Sequence, residues 1–247
     1  MRPLLAPDIL RIWERGRDAH PLERGLFVLG AGLPDVAWEE LAALSVGQRN
    51  AALLRLREVT VGSTIESVAA CPHCGEQLEL SFQVSDIRYD EPRLGQGPRE
   101  YELSVEGYDL RYRLLTSRDL AVARRWRDVE QAGEALLRRC VVAARREGES
   151  VAVNALPETV VVALADALGE QDPQSEVRIA LECPSCGTEF RTMFDVEAFF
   201  WSELAARAMR VLREVHMLAR AYGWREADIL SMSARRRQAY LEMAPVV

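Results

Sequence analysis

The sequence of 247 residues contains no lysine, so each of its 31 basic residues is an arginine. A GC-rich coding sequence is sufficient to explain this bias. Acidic residues outnumber the arginines, and the formal net charge is −7 with an isoelectric point near 5.2. Nucleic-acid-binding proteins generally present a strongly basic surface, so this balance argues against a general nucleic-acid-binding protein.

Residues that commonly carry catalysis are also scarce. The chain has three histidines, His20, His73 and His216, and no Ser–His–acid motif accompanies them. A phosphate-binding P-loop is absent, and the Gly-Ala-Gly sequence at 30–32 is too short for a dinucleotide-binding fingerprint. We therefore predict a protein that is not an enzyme, with no catalytic residues and no small-molecule substrate.

Long apolar runs are missing as well. No stretch reaches the roughly 18 consecutive apolar residues of a membrane span. Residues 1–5 lead directly into charged residues, without the apolar centre of a secretory signal. These features predict a cytoplasmic protein with no membrane partner, in which the cysteines are kept reduced.

Four of the five cysteines fall into two motifs of the form Cys-Pro-x-Cys-Gly, at 71–75 and 183–187. Alternating apolar and polar residues flank both motifs, which predicts that each motif is the tip of a β-hairpin. The two-residue spacer lets both thiolates of a pair reach one metal ion, and the glycine permits a positive φ. Two such tips can supply the ligands of a tetrahedral zinc site. We predict one structural Zn²⁺ with the ligands Cys71, Cys74, Cys183 and Cys186.

Three alternatives to zinc remain open at this point. A redox-active dithiol has the same Cys-Pro-x-Cys form, but its reactive cysteine usually begins a helix, whereas a glycine and a strand pattern follow here. Disulfide bonds would require an oxidising compartment. Four buried thiols without a metal are the third alternative. We expect His73, inside the first motif, to face solvent, and Cys140 to be a small core residue.

The whole pattern predicts an α+β fold, in which a small antiparallel sheet with a split zinc ribbon is flanked by N-terminal and C-terminal helical segments. The ribbon is split because a long insert separates its two cysteine motifs. We predict an N-terminal helical segment at 1–62, a zinc-ribbon sheet at 63–194 with an α/β insert at about 86–175, and a C-terminal helical segment at 195–247.

Inside these segments, local signals predict individual elements. A loop is expected at 86–100, a second hairpin over 101–114, and helices over 118–146. Ser45 and Ser233 are expected to begin helices that run to about Glu58 and over Ala234–Met243. Asp195 is expected to cap the longest helix, which carries an apolar stripe and ends at Gly223.

We expect the C-terminal segment to contact a partner protein, because tryptophan and arginine are enriched at protein interfaces. The face of this segment that is expected to be exposed carries Arg207, Arg210, Arg213, Arg220 and Arg235–Arg237. The predicted partner-binding residues are Trp201, Trp224, Arg235, Arg236 and Arg237.

Five further motifs lie at 20–24 (HPLER), 47–54 (GQRNAALL), 115–120 (LTSRDL), 214–216 (EVH) and 221–230 (AYGWREADIL). Together with the two cysteine motifs, they resemble the T4-type baseplate hub assembly chaperone family of contractile-tailed phages and phage-tail-like contractile injection systems. The resemblance implies an assembly chaperone or component that binds hub, spike or tail-tube proteins in the cytoplasm and is then released or retained in the particle. It implies no catalytic residues.

The alternative function is a zinc-ribbon nucleic-acid-binding adaptor that uses the arginine-rich C-terminal helices. Many zinc ribbons bind nucleic acids, so this alternative stays open. The acidic net charge and the lack of an aromatic stacking platform among the arginines argue against it, and we expect no specific nucleic-acid partner.

Overall fold

The computed structural model of the chain describes residues 1–89, 99–123, 126 and 128–244. The helices of the N-terminal part are α1 (Ala6–Gly16), α2 (Pro21–Gly32), α3 (Trp38–Ala43), α4 (Val46–Val61) and α5 (Val84–Ile87). Those that follow are α6 (Ser117–Ala123), α7 (Val129–Cys140), α8 (Glu158–Gln171), α9 (Val196–Tyr222), α10 (Glu226–Ser231) and α11 (Ala234–Met243). The strands are β1 (Thr64–Ala70), β2 (Gln77–Gln83), β3 (Glu100–Val105), β4 (Tyr108–Arg113), β5 (Val141–Arg146), β6 (Glu149–Ser150), β7 (Arg178–Glu182) and β8 (Glu189–Met193).

Polar side chains begin the main helices where the sequence predicts them to begin. The Ser45 hydroxyl accepts a hydrogen bond from the Gln48 amide at the start of α4, and the Asp195 carboxylate accepts one from the Ala198 amide at the start of α9. Each such bond satisfies one of the amides that the first helical turn leaves free. Gly223 ends α9 with φ at 67°, a conformation that glycine adopts at little cost.

The strands form three separate antiparallel sheets. β1 pairs with β2, β7 pairs with β8, and the insert contributes a four-stranded sheet of order β3-β4-β5-β6. The two predicted hairpins at the cysteine motifs are therefore confirmed, as is the α+β class. No helix among the described residues has the length and apolar character needed to cross a membrane.

The expectation of helices over 118–146 is wrong at its C-terminal end. α7 ends at Cys140, and residues from Val141 onward form β5, which pairs with β4. The Val-Val-Ala-Ala sequence at 141–144 is compatible with a strand because branched side chains pack well on a pleated surface. The predicted loop at 86–100 begins with the last residues of α5, and its centre at 90–98 lies outside the described residues.

Buried side chains form three hydrophobic clusters. The largest joins α1, α2 and α4 to α9, and its centre includes Leu29, Leu53 and Phe200. The second lies inside the insert, where α8 covers the four-stranded sheet, and it contains the fully buried Cys140. The expectation that Cys140 is a core residue is thus confirmed. The third and smallest cluster surrounds Cys71 and Cys183.

Candidate metal centre

The two cysteine motifs adopt the same backbone conformation. In the first, the Gly75 amide donates to the Cys71 carbonyl at 2.9 Å, and the Cys71 amide donates to the Glu76 carbonyl at 2.8 Å. In the second, the corresponding bonds run from Gly187 to Cys183 at 2.8 Å and from Cys183 to Thr188 at 3.0 Å. φ is 78° at Gly75 and 70° at Gly187. Both motifs therefore close a tight turn that needs glycine at its last position.

The hairpins bring the four sulfur atoms of the two motifs together. All four Sγ atoms lie within 4.8 Å of one another. The Sγ atoms of Cys71 and Cys186 are 3.7 Å apart, and those of Cys74 and Cys183 are 3.6 Å apart. A tetrahedron of thiolates around zinc, with bonds of about 2.3 Å, has sulfur–sulfur edges of about 3.8 Å. The donor set and its spacing therefore fit a tetrahedral metal site.

The hydrogen bonds around the sulfurs favour negative charge at two of them. The hydroxyl and backbone amide of Thr188 lower the pKa of Cys186 to about 6. A hydrogen bond from the backbone amide of Cys74 lowers the pKa of Cys71, although burial opposes it. The Glu76 amide acts in the same direction at Cys74, but contact with Cys183 and burial raise the pKa of Cys74 to about 12. A cation bound between the sulfurs would favour the thiolate form of the cysteines.

The same geometry argues against a disulfide bond and against a redox-active dithiol. The sulfur–sulfur distances of 3.6 and 3.7 Å are far longer than the roughly 2.05 Å of a disulfide bond. A strand, and not a helix, follows each motif, so no helix N-terminus activates either first cysteine. His73 is exposed, as predicted.

Apolar contacts hold the two hairpins together behind the sulfurs. Cys71 and Cys183 are 3% and 1% exposed, whereas Cys74 and Cys186 are exposed. Leu78, Leu80, Leu181 and Phe190 complete the small cluster around the buried pair. At the other end of the hairpins, the rings of Phe82 and Phe194 meet edge to face at 5.5 Å, next to the main core.

The predicted partner-binding residue Trp201 packs within the chain. Its ring covers Gly16 of α1, where an added Cβ would lie 2.3 Å from the indole. The guanidinium of Arg24 stands 4.8 Å from the centre of the Trp201 ring. Through these contacts Trp201 packs α1 against α9, and its side chain remains partly exposed.

Trp224 also packs within the chain. Its ring stacks on Tyr222 at a centroid distance of 4.5 Å and meets Tyr240 edge to face at 4.8 Å. The Tyr222 hydroxyl donates to the Tyr240 carbonyl at 3.0 Å. This aromatic cluster fastens α11 to the end of α9.

The arginine run at 235–237 divides into two exposed residues and a buried one. Arg235 and Arg236 are exposed. Arg237 is 4% exposed, donates to the Glu214 carboxylate at 2.7 Å and donates to the Met232 carbonyl at 2.7 Å. The expectation that the whole run faces solvent is wrong at Arg237, because its guanidinium neutralises a carboxylate of α9 inside the fold. Arg207 is half-buried.

Two further groups of polar residues were not predicted, and both are built from the motifs at 47–54 and 115–120. In the first, Asp172 accepts hydrogen bonds from the Ser45 hydroxyl at 3.0 Å and the Gly47 amide at 2.9 Å. A Cβ on Gly47 would lie 2.1 Å from this carboxylate. The Asn50 side chain donates to the Gln174 carbonyl at 3.1 Å. These bonds fix the end of the insert to the start of α4.

Arg49 and Glu197 continue this network into the main core. The Nη2 atom of Arg49 lies 3.2 Å from the Glu197 carboxylate, and its Nη1 atom donates to the Ser117 hydroxyl at 3.2 Å. Glu197 also accepts from the Gly25 amide at 3.2 Å. Burial raises the pKa of Glu197, and Arg49 and the amide offset only part of this effect. The pair links α2, α4, α6 and α9.

The second group surrounds Asp119, which is 1% exposed. Its carboxylate accepts hydrogen bonds from Arg113 at 2.7 and 3.0 Å, from Arg139 at 2.8 Å, and from both the amide and the hydroxyl of Thr116. Burial alone raises the pKa of Asp119, but these donors hold it well below its usual range. A polar residue inside an otherwise apolar helix pattern is the sequence signal that marks Arg49 and Asn50, and Asp119 stands at a helix-start motif.

A comparison with protein families identifies a family model described as T4 bacteriophage base plate protein, which matches residues 33–201. The matched region contains both cysteine motifs and, apart from the Gly25 amide, both polar groups. No curated protein and no solved structure matches the chain significantly. The family match confirms the predicted resemblance at the level of a T4-type baseplate protein. Because it covers more than half of the 247 residues, the chain belongs to the T4 bacteriophage base plate protein family.

Proposed function

We propose that the chain is a non-enzymatic assembly chaperone or component of the baseplate hub, in a contractile phage tail or a contractile injection system. It acts by binding other baseplate proteins through a zinc-stabilised scaffold. The observation that carries the proposal is the four-sulfur cluster of Cys71, Cys74, Cys183 and Cys186 in a chain of the baseplate family.

The donor set supports a structural role for the metal. Zinc bound by four thiolates is closed, whereas catalytic zinc keeps a position for water or substrate. Such a site ties two hairpins together across the insert. Where the insert leaves and re-enters, the Val84 amide donates to the Ser63 carbonyl and the Phe194 amide donates to the Val177 carbonyl, both at 2.8 Å. Zinc would join the tips of the two hairpins whose opposite ends carry the insert, and would thereby restrict the orientation of the insert toward a partner.

A scaffold of this kind binds proteins and transforms no substrate. The partners that we propose are hub, spike or tail-tube proteins of the baseplate, met in the cytoplasm during assembly. The protein then leaves or stays in the particle. The contacts within the chain made by Trp201, Trp224 and Arg237 leave Arg235 and Arg236 as the exposed members of the proposed docking set.

We expect the variant Arg235→Glu with Arg236→Glu to bind its baseplate partner about tenfold more weakly, because reversed charges at an interface replace attraction by repulsion. Tagged wild-type protein, co-expressed with the sheath, tube, hub and spike proteins of a contractile tail system from the same genome, should co-purify with one of the hub, spike or tube proteins. Circular dichroism and zinc content serve as folding controls. Unchanged capture by the variant would move the docking surface elsewhere. Copurification with nucleic acid, and with no tail protein, would favour the adaptor function instead.

A further inference from the structure

The longest helix, α9, separates its charges by sign. Its three acidic residues are Glu197, Glu203 and Glu214, and each pairs with a buried arginine of another helix. Glu203 receives two hydrogen bonds from Arg57, at 2.8 and 3.0 Å. The carboxylates of α9 are thus used in packing the fold.

The outward face of the C-terminal half of α9 carries arginines, methionines and one histidine, and its exposed residues include no carboxylate. We call it the basic stripe, and it consists of Met209, Arg210, Arg213, His216, Met217 and Arg220. All six side chains are exposed, and at 3.6 residues per turn they lie within about a third of the circumference of the helix. None of the three arginines has a carboxylate partner among the described residues. A row of uncompensated positive charge therefore crosses a chain whose net charge is −7.

The methionines give the stripe a second property. Met209 and Met217 are 42% and 52% exposed, and they stand beside Arg210 and Arg213 on the same face. Methionine is flexible and polarisable, which suits it to contacts with varied apolar surfaces. A polyanion that offered only phosphates would leave both side chains without a favourable partner. The combination fits a protein surface that presents carboxylates and apolar side chains together.

We propose that the basic stripe docks an acidic, amphipathic segment of a baseplate protein. The proposal rests on the protein-binding function above and names the chemistry of its partner. A second copy of this chain is a poor occupant, because a symmetric interface would place the stripe against itself and oppose like charges. The spacing of Arg210, Arg213 and Arg220 covers about 15 Å along α9, so the partner carries carboxylates at matching intervals.

The probe is a fluorescein-labelled helical peptide with glutamates at positions i, i+3 and i+10 of one face and leucines at i−1 and i+7. Binding to the full chain is followed by fluorescence anisotropy. The same peptide with glutamine in place of glutamate, and a labelled DNA duplex, are tested in parallel. We expect the acidic peptide to bind best, and its affinity to fall as salt is added.

The decisive variant is Arg213→Glu with Arg220→Glu, which alters exposed side chains only. We expect it to weaken binding of the acidic peptide by about tenfold or more. The matched control, Arg145→Glu with Arg191→Glu, makes the same change in net charge at exposed strand positions and should leave binding within about twofold.

Four outcomes would overturn the proposal. The first is that the wild-type chain does not bind the acidic peptide, and the second is that both variants weaken binding equally. The third is that the chain binds the DNA duplex through the stripe more tightly than it binds the peptide. The fourth is that the chain associates with itself and that the stripe variant abolishes this association. The assay contains no hub, spike or tube protein, so its failure leaves the capture of such a protein to be judged by its own experiment.

Discussion

Replacement of Cys183 by serine is expected to release the metal and to destabilise the chain by on the order of 5 kcal/mol. Structural zinc contributes about 10 kcal/mol in small zinc-dependent domains, and whole domains are stable by about 5–15 kcal/mol. Here the hairpins also share apolar contacts with the main core, so the expected loss of stability is smaller than the contribution of about 10 kcal/mol in those domains. Cys183 is the most buried of the four clustered cysteines, so a serine hydroxyl at this position would also lie in apolar surroundings.

Thermal unfolding and zinc content measure both effects in one preparation. The matched control is Cys140→Ala, which removes a buried thiol from the core of the insert, outside the four-cysteine cluster. It should cost about 1 kcal/mol, as small core truncations do, and should retain zinc. If the Cys183 and Cys140 variants lose similar stability and keep similar metal content, the four-cysteine site does not clamp the hairpins.

Replacement of Asp119 by asparagine is expected to destabilise the chain by about 3 kcal/mol, since it leaves two guanidinium groups beside a neutral side chain. The figure is at the lower end for a broken buried pair because Arg139 is 41% exposed. Asp119 also holds the Thr116 amide and hydroxyl at the start of α6. Urea denaturation of the wild type and the variant gives the difference.

The pH dependence distinguishes Asp119 from a general packing effect. Its lowered pKa gives stability that is present above the unfolded value of about 3.9 and is lost as the pH falls through the folded value. The stability of Asp119→Asn should therefore fall less steeply than that of the wild type below about pH 5. The raised pKa of Glu197 has the opposite effect on the pH dependence of stability. Because the wild type and the variant both contain Glu197, it does not contribute to the difference between them. Asp166→Asn, at an exposed position of α8, should match the wild type; equal acid slopes for all three proteins would contradict the role of Asp119.

Local pattern was sufficient to predict the two hairpins and the cysteines at their tips. Alternation over β2 and β8 places their apolar residues on one face, and a turn with glycine at its end follows from the motif itself. The caps Ser45, Asp195 and Ser233 are also local, since each accepts from an amide three residues later. Such signals need no knowledge of the rest of the chain.

The misassigned strand β5 depended on tertiary contacts. Its edge pairs with β4, more than twenty residues earlier, with an irregular register between Arg111 and Tyr112. The sequence at 141–144 is compatible with helix or strand, and the free edge of β4 decides between them. Sequence periodicity does not contain that information.

The buried polar groups could not be predicted from local sequence either, because their partners are distant in the chain. Asp172 bonds Gly47 across 125 positions of sequence, and Arg237 reaches back 23 positions to Glu214. The motif residues Gly47, Arg49 and Asp119 stood out in the resemblance, but only the fold explains why each is needed. The sequence pattern therefore predicted an exposed Arg237, whereas in the fold this side chain is buried and paired with the Glu214 carboxylate. The predicted segment boundaries at 62 and 194 stay a prediction.

In the proposed zinc scaffold, one metal ion joins two distant hairpins of a baseplate protein. The most direct measurement is native mass spectrometry with elemental analysis, on protein purified under reducing conditions without added metal. We expect close to one zinc per wild-type chain and none in the Cys183→Ser variant. A fully folded wild-type chain with a zinc content near zero would contradict a structural zinc site at the four cysteines.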